Sequence, residues 1–376
     1  MIKHKEIMTR VIVSIILGFL YFSSSCFAYI PSIQHTKLLH YGRQIKSSRI
    51  QLHMASVEKA IDETHQLSNF ASLVAGGIKE KFSEDDSKRI LDSWTLLDEG
   101  YEHKEFIGSN DLDPNTSNMH QLAHSYVPSL TCKTFWDIEE FDWCGKIASK
   151  YDIIRKEFLK ATKNMEKLKK QGNNIFVGAL TEDASSYGDG WKTLVLYDRG
   201  TWDPTNIQLF PKTTKAIRES GMPIVEAFFA SMAPNTDIKM HSDFTNFVIT
   251  SHLAIDIPES GNNKCRITVG DDTKQWINGE VTLFDTSIMH DAINESDSTR
   301  YILMFRVWHP ELSDTEKQAL QFIYDCLLIP ELVSVDPGER FLAEERIKIV
   351  RSFPEFKKGA GFGAANKAKP KKKKRK

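Results

Sequence analysis

The pattern of apolar and polar positions changes along the chain and predicts helices on both sides of a strand-rich segment. Between residues 58 and 126, and again between 150 and 170, apolar residues recur at helical spacing among charged ones. From Met222 onward the pattern becomes short apolar or alternating runs, which is typical of a sandwich or barrel of strands. Residues 313–351 return to helical spacing and begin with the residues of a capping box.

Alternation within the predicted strands assigns polar side chains to a face. Residues two apart in a strand point to the same side of a sheet. His252 in the run 247–257 and Arg300 in the run 300–308 each share a face with apolar neighbours. Jelly rolls close two sheets around a ligand cavity. We therefore expect an α+β fold with a double-stranded β-helix (jelly-roll, cupin-like) core and with N-terminal and C-terminal helices.

The same patterns divide the chain into successive segments. They are a signal peptide at 1–28, a transit peptide at 29–57, a helical N-terminal region at 58–174, a jelly-roll domain at 175–315, C-terminal helices at 316–356 and a disordered basic tail at 357–376. The tail is predicted to be disordered because a block of like charges repels itself and stays solvated.

The first 57 residues have the composition of a targeting leader. An apolar run at 11–22 follows basic residues and precedes small ones, as in a signal peptide, with a signal anchor as the alternative. Residues 29–57 are basic and contain no acid, which is typical of transit peptides. Together they resemble the bipartite leader of algae with complex plastids, so we expect a plastid protein. The alternative is the endoplasmic reticulum lumen or secretion.

Three further features bear on the compartment. No other apolar run approaches the ~20 residues of a spanning helix, so we expect no stable membrane span after leader removal. In a lumen, Asn115 and Asn294 would be glycan acceptors. Of five cysteines, the four beyond the leader lack C-x-x-C spacing, so zinc is not expected. We expect free thiols, with a Cys132–Cys144 disulfide only in a luminal protein.

The charge of the chain is unevenly distributed. The net charge is −1, but the first 57 and last 20 residues are strongly basic, so the region between them is strongly acidic. Phosphate backbones favour basic surfaces, and we therefore do not expect the folded domain to bind nucleic acid. The hydrophobic fraction of 41% is that of a globular protein with a full-sized core.

His241, Asp243 and His290 have the residue types and order of an iron site. In His241-Ser-Asp243 the first and third side chains share one face of a strand, and His290 must arrive from a distant strand. Two imidazoles and one carboxylate that leave open positions are the ligand set of non-haem Fe(II) oxygenases. Arg300 adds a cation that can hold a cosubstrate carboxylate through two hydrogen bonds. The alternative for Arg300 is a structural ion pair.

The stretch from Trp191 to Leu312 resembles the aspartyl/asparaginyl β-hydroxylase family, which uses Fe(II) and 2-oxoglutarate. The matching residues are Trp191-Lys-Thr-Leu-Val-Leu-Tyr197, Phe210-Pro-Lys-Thr-Thr214, His241-Ser-Asp-Phe-Thr-Asn246, His252-Leu253, Trp276, Gly279, Phe284-Asp285, His290, Arg300 and Trp308-His-Pro310. The resemblance implies that His241 and His290 hold the iron and that Arg300 and His252 contact 2-oxoglutarate. A hydrogen-bonded core histidine is the alternative for His252.

Two positions depart from the family pattern. The animal members resemble this chain but have Gly where Asp243 stands, so Asp243 is either an iron ligand, as its spacing suggests, or a neighbour of the site. The family often carries an Arg two residues before the position of His252, where this chain has Thr250. This departure weakens the expected hold on the second end of 2-oxoglutarate.

The resemblance implies an Fe(II)- and 2-oxoglutarate-dependent dioxygenase that hydroxylates an aspartyl or asparaginyl residue in a peptide or protein. One alternative is the same chemistry on a lipid or small metabolite, because fold does not fix substrate. Another is a cupin-like binding module without turnover. An acidic peptide would meet an acidic protein unless local cations such as Lys239 or Arg306 steer it.

Overall fold

A computed structural model describes residues 69–172, 175–178 and 186–356. The predicted signal peptide, transit peptide and basic tail lie outside the described residues. Among the helices that are described, none has both the length and the apolar character needed to cross a membrane.

Helices flank a strand-rich centre. The helices are α1 (Asn69–Lys81), α2 (Glu84–Asp98), α3 (Asp142–Ala148), α4 (Tyr151–Thr162), α5 (Met165–Gln171), α6 (Asn206–Leu209), α7 (Pro211–Ser220), α8 (Asp314–Leu328) and α9 (Pro337–Arg351). The strands are β1 (His103–Phe106), β2 (His120–Ser125), β3 (Trp191–Asp198), β4 (Thr201–Trp202), β5 (Ile224–Met232), β6 (Thr236–His241), β7 (Phe244–Thr245), β8 (Val248–Asp256), β9 (Cys265–Val269), β10 (Asp272–Gln275), β11 (Val281–Phe284), β12 (His290–Asn294) and β13 (Arg300–Trp308).

Two antiparallel sheets pack face to face. The large sheet has the strand order β11-β8-β13-β5-β3-β4, and the small sheet has the order β10-β9-β12-β6. Apolar side chains from both inner faces form one buried cluster, which includes Phe228, Ile302 and Met304 of the large sheet and Ile267 and Val269 of the small sheet. Two sheets that share a core in this way form a jelly roll. The predicted α+β jelly-roll fold is confirmed.

The outer face of the large sheet is covered by helices. Phe229 and Leu303 are buried there against Phe158 of α4 and Phe210 at the start of α7. Strand β13 is therefore buried on both faces, which explains why its sequence is a nearly continuous apolar run.

Helix α8 packs with α1 and α2 beside the jelly roll. Its predicted capping box is confirmed, because the Ser313 hydroxyl accepts from the Glu316 N–H while the Glu316 side chain accepts from the Ser313 N–H. Arg89 of α2 also donates to both oxygens of Glu316, each at 2.7 Å. One carboxylate thus caps α8 and joins it to α2.

The region 58–174 differs from the helical region that the pattern predicts. Strands β1 and β2 lie in it, and β2 pairs in parallel with β7 to complete a third sheet of order β1-β2-β7. Alternate residues of β2 are buried, but the buried set, Gln121, Ala123 and Ser125, is polar or small and gives no apolar signal. The single helix expected at 150–170 is two helices, because Asn164 caps α5 by accepting from the Lys167 N–H.

The structure describes the surroundings of the four cysteines beyond the leader and of the two possible glycosylation sites. The thiols of Cys132, Cys144, Cys265 and Cys326 are free. Asn115 is exposed. Asn294, the acceptor of the second glycosylation motif, is completely buried. Its Nδ2 donates to the carbonyl oxygens of Met232, Ala233 and Ser298 at 3.1, 2.9 and 2.9 Å.

Candidate metal centre and cosubstrate pocket

A strand pair brings His241 and His290 together. His241 ends β6, His290 begins β12, and their Cα atoms are partners in the antiparallel register. Asp243 follows β6 and is held by its N–H, which donates to the Thr286 carbonyl at 2.8 Å. All three side chains are buried, and their metal-binding atoms lie within 4.8 Å of one another. The sequence-predicted triad is thus assembled at one point.

Backbone carbonyls fix the tautomers of both imidazoles. Nδ1 of His241 lies 2.7 Å from the Lys239 oxygen, and Nδ1 of His290 lies 2.8 Å from the Ile288 oxygen. A carbonyl oxygen only accepts, so Nδ1 carries the proton in each ring. The lone pair of each Nε2 therefore points into the site, as a metal ligand requires.

The carboxylate of Asp243 completes a three-atom set. Its Oδ1 is 3.7 Å from Nε2 of His241 and 4.0 Å from Nε2 of His290. Bonds of about 2.1 Å to one ion can join atoms up to about 4.2 Å apart. Oδ2 is buried without a hydrogen-bond partner. These residues fit a divalent cation, and the donor set of two imidazoles and one carboxylate suits Fe(II).

Burial and neighbouring charges determine the protonation state of His290. Burial lowers the pKa of His290 to about 4, and the neighbouring His241 lowers it further while Asp243 opposes the shift. His290 is therefore neutral at physiological pH. A neutral imidazole is the form that coordinates metal.

Arg300 is a buried cation that faces the same cavity. The side chain is 1% exposed, and its guanidinium carbon lies 4.2 Å from the centre of the Trp276 ring. Nε and Nη1 have no hydrogen-bond partner among the described residues. Burial lowers the pKa of Arg300 to about 10, a shift that Cys265 only partly offsets. A buried guanidinium with two nitrogens unpaired among the described residues is suited to bind an anionic ligand. This observation argues against the alternative, a structural ion pair.

His252 is a neutral donor beside Arg300. The indole N–H of Trp276 donates to its Nδ1 at 3.2 Å, so Nε2 carries the ring proton. Burial lowers the pKa of His252 well below its usual value, and Arg300 and His290 lower it further. Nε2 is buried without a partner among the described residues. The ring is thus a hydrogen-bond donor that faces the pocket.

One cavity joins these groups. Its walls include the triad, His252 and Arg300, and the rest of the lining is largely apolar, with Ile267, Phe284 and Met304. Arg300 lies on the inner face of β13 in the large sheet, whereas His241 and His290 come from β6 and β12 of the small sheet. The two sheets therefore contribute different groups to the same cavity.

The structure corrects one role and adds others. Arg306 cannot steer a peptide from the surface, because it is buried, with Nη2 3.9 Å from Oδ2 of Asp243. The Tyr187 hydroxyl lies 2.8 Å from Nε2 of His241 and 3.1 Å from Oδ1 of Asp243, and no spacing in the sequence indicates it. The link from Trp276 to His252 also requires the fold, although Trp276 belongs to the family motifs.

Residues 148–310 match the family model described as Aspartyl/Asparaginyl beta-hydroxylase. Human aspartate beta-hydroxylase domain-containing protein 2 is 28% identical over 198 residues, covering 50% of this chain and 53% of that protein. Human aspartyl/asparaginyl beta-hydroxylase is 28% identical over 205 residues, covering 52% and 25%. The ornithine lipid ester-linked acyl 2-hydroxylase of Rhizobium tropici is 29% identical over 170 residues, covering 45% and 58%.

The chain spans about half the length of the first of these relatives. Among solved structures, a cupin 2 conserved barrel domain protein from Salinispora arenicola is 11% identical, with a TM-score of 0.23, covering 39% of this chain and 98% of that one. The matched range contains every residue of the metal site and the cavity described above. Residues 148–310 of this chain are therefore similar in sequence to the aspartyl/asparaginyl beta-hydroxylase family.

Proposed function

We propose that the chain is an Fe(II)- and 2-oxoglutarate-dependent hydroxylase. The observation that carries this proposal is the pairing of two features in one cavity. One is a His–Asp–His set whose ligand atoms converge, and the other is the buried cation of Arg300 with two nitrogens lacking partners among the described residues. A metal site alone would not need such a cation, whereas a dicarboxylate cosubstrate does.

Each residue has a definite task in this proposal. His241, Asp243 and His290 hold the metal, Arg300 binds the carboxylate of 2-oxoglutarate remote from the metal, and His252 donates from Nε2 to the same cosubstrate. When bound, Fe(II) and 2-oxoglutarate together activate O₂ for hydroxylation of a C–H bond, with succinate and CO₂ as co-products. The apolar cavity wall excludes water from that step.

For the substrate we propose an aspartyl or asparaginyl residue in a peptide or protein, in keeping with the names of the animal relatives. The bacterial relative is named as an acyl 2-hydroxylase of a lipid, so a lipid or small metabolite is the second candidate. Mass spectrometry of cells with and without the gene separates the two. An added oxygen on Asp or Asn supports the first, and additions found only on lipids or metabolites support the second.

A cupin-like binding module without turnover is the alternative from another class. A carboxylate ligand beside two imidazoles favours the enzyme, because a binding barrel has no need of an open three-ligand site. Anaerobic addition of Fe(II) and then 2-oxoglutarate should produce the weak visible absorption of a chelated complex. Folded protein that shows no such band would contradict the hydroxylase proposal.

A further inference from the structure

We propose that Arg306 is the positioning residue that makes Asp243 a metal ligand, by holding one carboxylate oxygen so that the other faces the two imidazoles. This inference rests on the metal role proposed above. It explains why Asp243 acts as a ligand by the effect of Arg306, a residue that no sequence motif associates with the site.

The strand register places Arg306 inside the jelly roll. Arg306 is two residues beyond Met304 on β13, so it shares the inner face with the residues that line the cavity. Its Cα is paired with that of Thr250 on β8 and with that of Glu226 on β5. Thr250 is short, and its hydroxyl lies 3.2 Å from that of Thr286. Arg306 therefore extends into the interior of the jelly roll, where its guanidinium lies near Asp243.

The two oxygens of Asp243 face different partners. Oδ1 accepts from the Tyr187 hydroxyl at 3.1 Å and faces Nε2 of both histidines, whereas Oδ2 lies 3.9 Å from Nη2 of Arg306. The Asp243 side chain is completely buried, so water does not compete for Oδ2. At 3.9 Å the guanidinium attracts Oδ2 without donating a hydrogen bond to it, and this attraction favours the orientation of the carboxylate in which Oδ1 faces the histidines. The other oxygen then stays directed at the metal position.

Arg306 is itself held in place by charges behind it. The carboxylate of Glu226, its cross-strand partner, interacts electrostatically with Arg306 and with Arg199, whose Nε lies 3.9 Å from Oε1 of Glu226. Arg199 in turn donates to Asp198 at 2.9 Å. Cations and anions thus alternate from Asp198 to Asp243 through the protein interior. This alternation is what allows a buried cation to stand next to a metal ion.

Thr250, the cross-strand partner of Arg306 on β8, carries no charge. Arg306 supplies a guanidinium from the neighbouring strand, at the paired position. A carboxylate ligand and its restraining cation are therefore present together.

The direction in which metal affinity changes when Arg306 is removed tests the proposal. A metal ion and a guanidinium repel each other, so removing Arg306 would strengthen metal binding if only their charges mattered. A positioning role predicts the opposite. The test is the calorimetric affinity of the full chain for Co(II), an air-stable substitute for Fe(II), in the wild type, Arg306→Met, Asp243→Gly and the double variant.

We expect Arg306→Met to weaken Co(II) binding by about 10- to 100-fold, as is usual when the partner of a metal ligand is removed. Asp243→Gly should also weaken it, and Arg306→Met should have no further effect in that background. Unchanged or tighter binding in Arg306→Met, or equal losses in both backgrounds, would overturn the proposal. Arg155→Met is the control, because Arg155 pairs with Asp256 and does not line the cavity, so its loss should leave Co(II) affinity unchanged.

Arg306→Lys serves if the Met variant does not fold. Lysine keeps the charge next to Glu226 but lacks the planar fork of arginine. We expect Arg306→Lys to lose less Co(II) affinity than Arg306→Met, and to cause no loss in the Asp243→Gly background. A loss of Co(II) affinity that persists in the Asp243→Gly background would overturn the proposal. If the wild type itself binds no Co(II), the metal role fails. If the wild type binds Co(II) but Arg306 and Asp243 are not coupled, only this inference fails.

Discussion

The indole N–H of Trp276 donates to Nδ1 of His252 across 3.2 Å, and the same ring lies against the guanidinium of Arg300. One side chain thus sets the tautomer of the neutral donor and supports the cation of the proposed 2-oxoglutarate pocket. Neither group needs a contact with the metal ligands for this, so cosubstrate binding and metal binding are separable by mutation.

Trp276→Phe should weaken 2-oxoglutarate binding about 5- to 10-fold and leave metal affinity unchanged. The change keeps an aromatic ring next to Arg300 but removes the N–H that fixes His252, and one such hydrogen bond is worth about 1–1.5 kcal/mol. The measurement is titration of the anaerobic Fe(II) protein with 2-oxoglutarate. An equal loss of Fe(II) affinity would contradict a role confined to the cosubstrate.

Arg300→Met should raise the 2-oxoglutarate concentration needed for half-saturation by at least about 10-fold, since hydrogen bonds to charged groups contribute about 1.5–3 kcal/mol. It should also stabilise the ligand-free protein by about 1–3 kcal/mol, because a buried cation without a partner is removed. Urea unfolding checks the second effect. A less stable variant would show that Arg300 has a structural partner.

His241→Ala or His290→Ala should abolish Fe(II) binding, because the two ligands that remain cannot compete with water and buffer. Calorimetric titration with Fe(II) under argon measures this loss. His120→Ala is the control, since its ring contacts the Pro114 carbonyl on the surface. Retention of tight Fe(II) binding in either site variant would remove that histidine from the ligand set.

Asp285→Asn should change how stability depends on pH. Burial raises the pKa of Asp285 to about 6, so from about pH 4 to 6 the folded group keeps a proton that the unfolded one loses, and stability falls as the pH rises. His290 acts in the opposite direction, because its pKa is lowered to about 4 and only the unfolded ring is protonated there.

Removing the Asp285 contribution should make the free energy of unfolding of the metal-free protein rise more steeply, by about 1.4 kcal/mol per pH unit. Asparagine can still accept from the N–H and hydroxyl of Ser287, as Asp285 does through Oδ1. Urea unfolding at several values between pH 4 and 6 gives the two slopes. Parallel slopes would show that Asp285 titrates normally.

The sequence predicted what depends on periodicity and on residue type. Period-two alternation put Arg300 on an inner face, because that relation is local to one strand. His241 and Asp243 do lie together, but β6 ends at His241, and a hydrogen bond from the Asp243 N–H to the Thr286 carbonyl holds Asp243 in place. The strands β1 and β2 were missed, because β2 buries small and polar residues. Arg306 was misjudged as a surface cation, since its burial follows from pairing with β5 and β8, which local sequence does not determine.

The amide of Asn294 joins β12 to the end of β5 through the carbonyls of Met232 and Ala233, and it also donates to the carbonyl of Ser298. Oligosaccharide transfer to an Asn-x-Ser motif would leave that nitrogen a single hydrogen for all three. Unpaired buried carbonyls cost about 1–3 kcal/mol each, a large part of the roughly 5–15 kcal/mol that keeps a domain folded. In a glycosylating compartment, nascent chains would divide into modified molecules that cannot close the barrel and unmodified ones that can. The yield of folded protein would then depend on the rate of folding relative to the rate of oligosaccharide transfer.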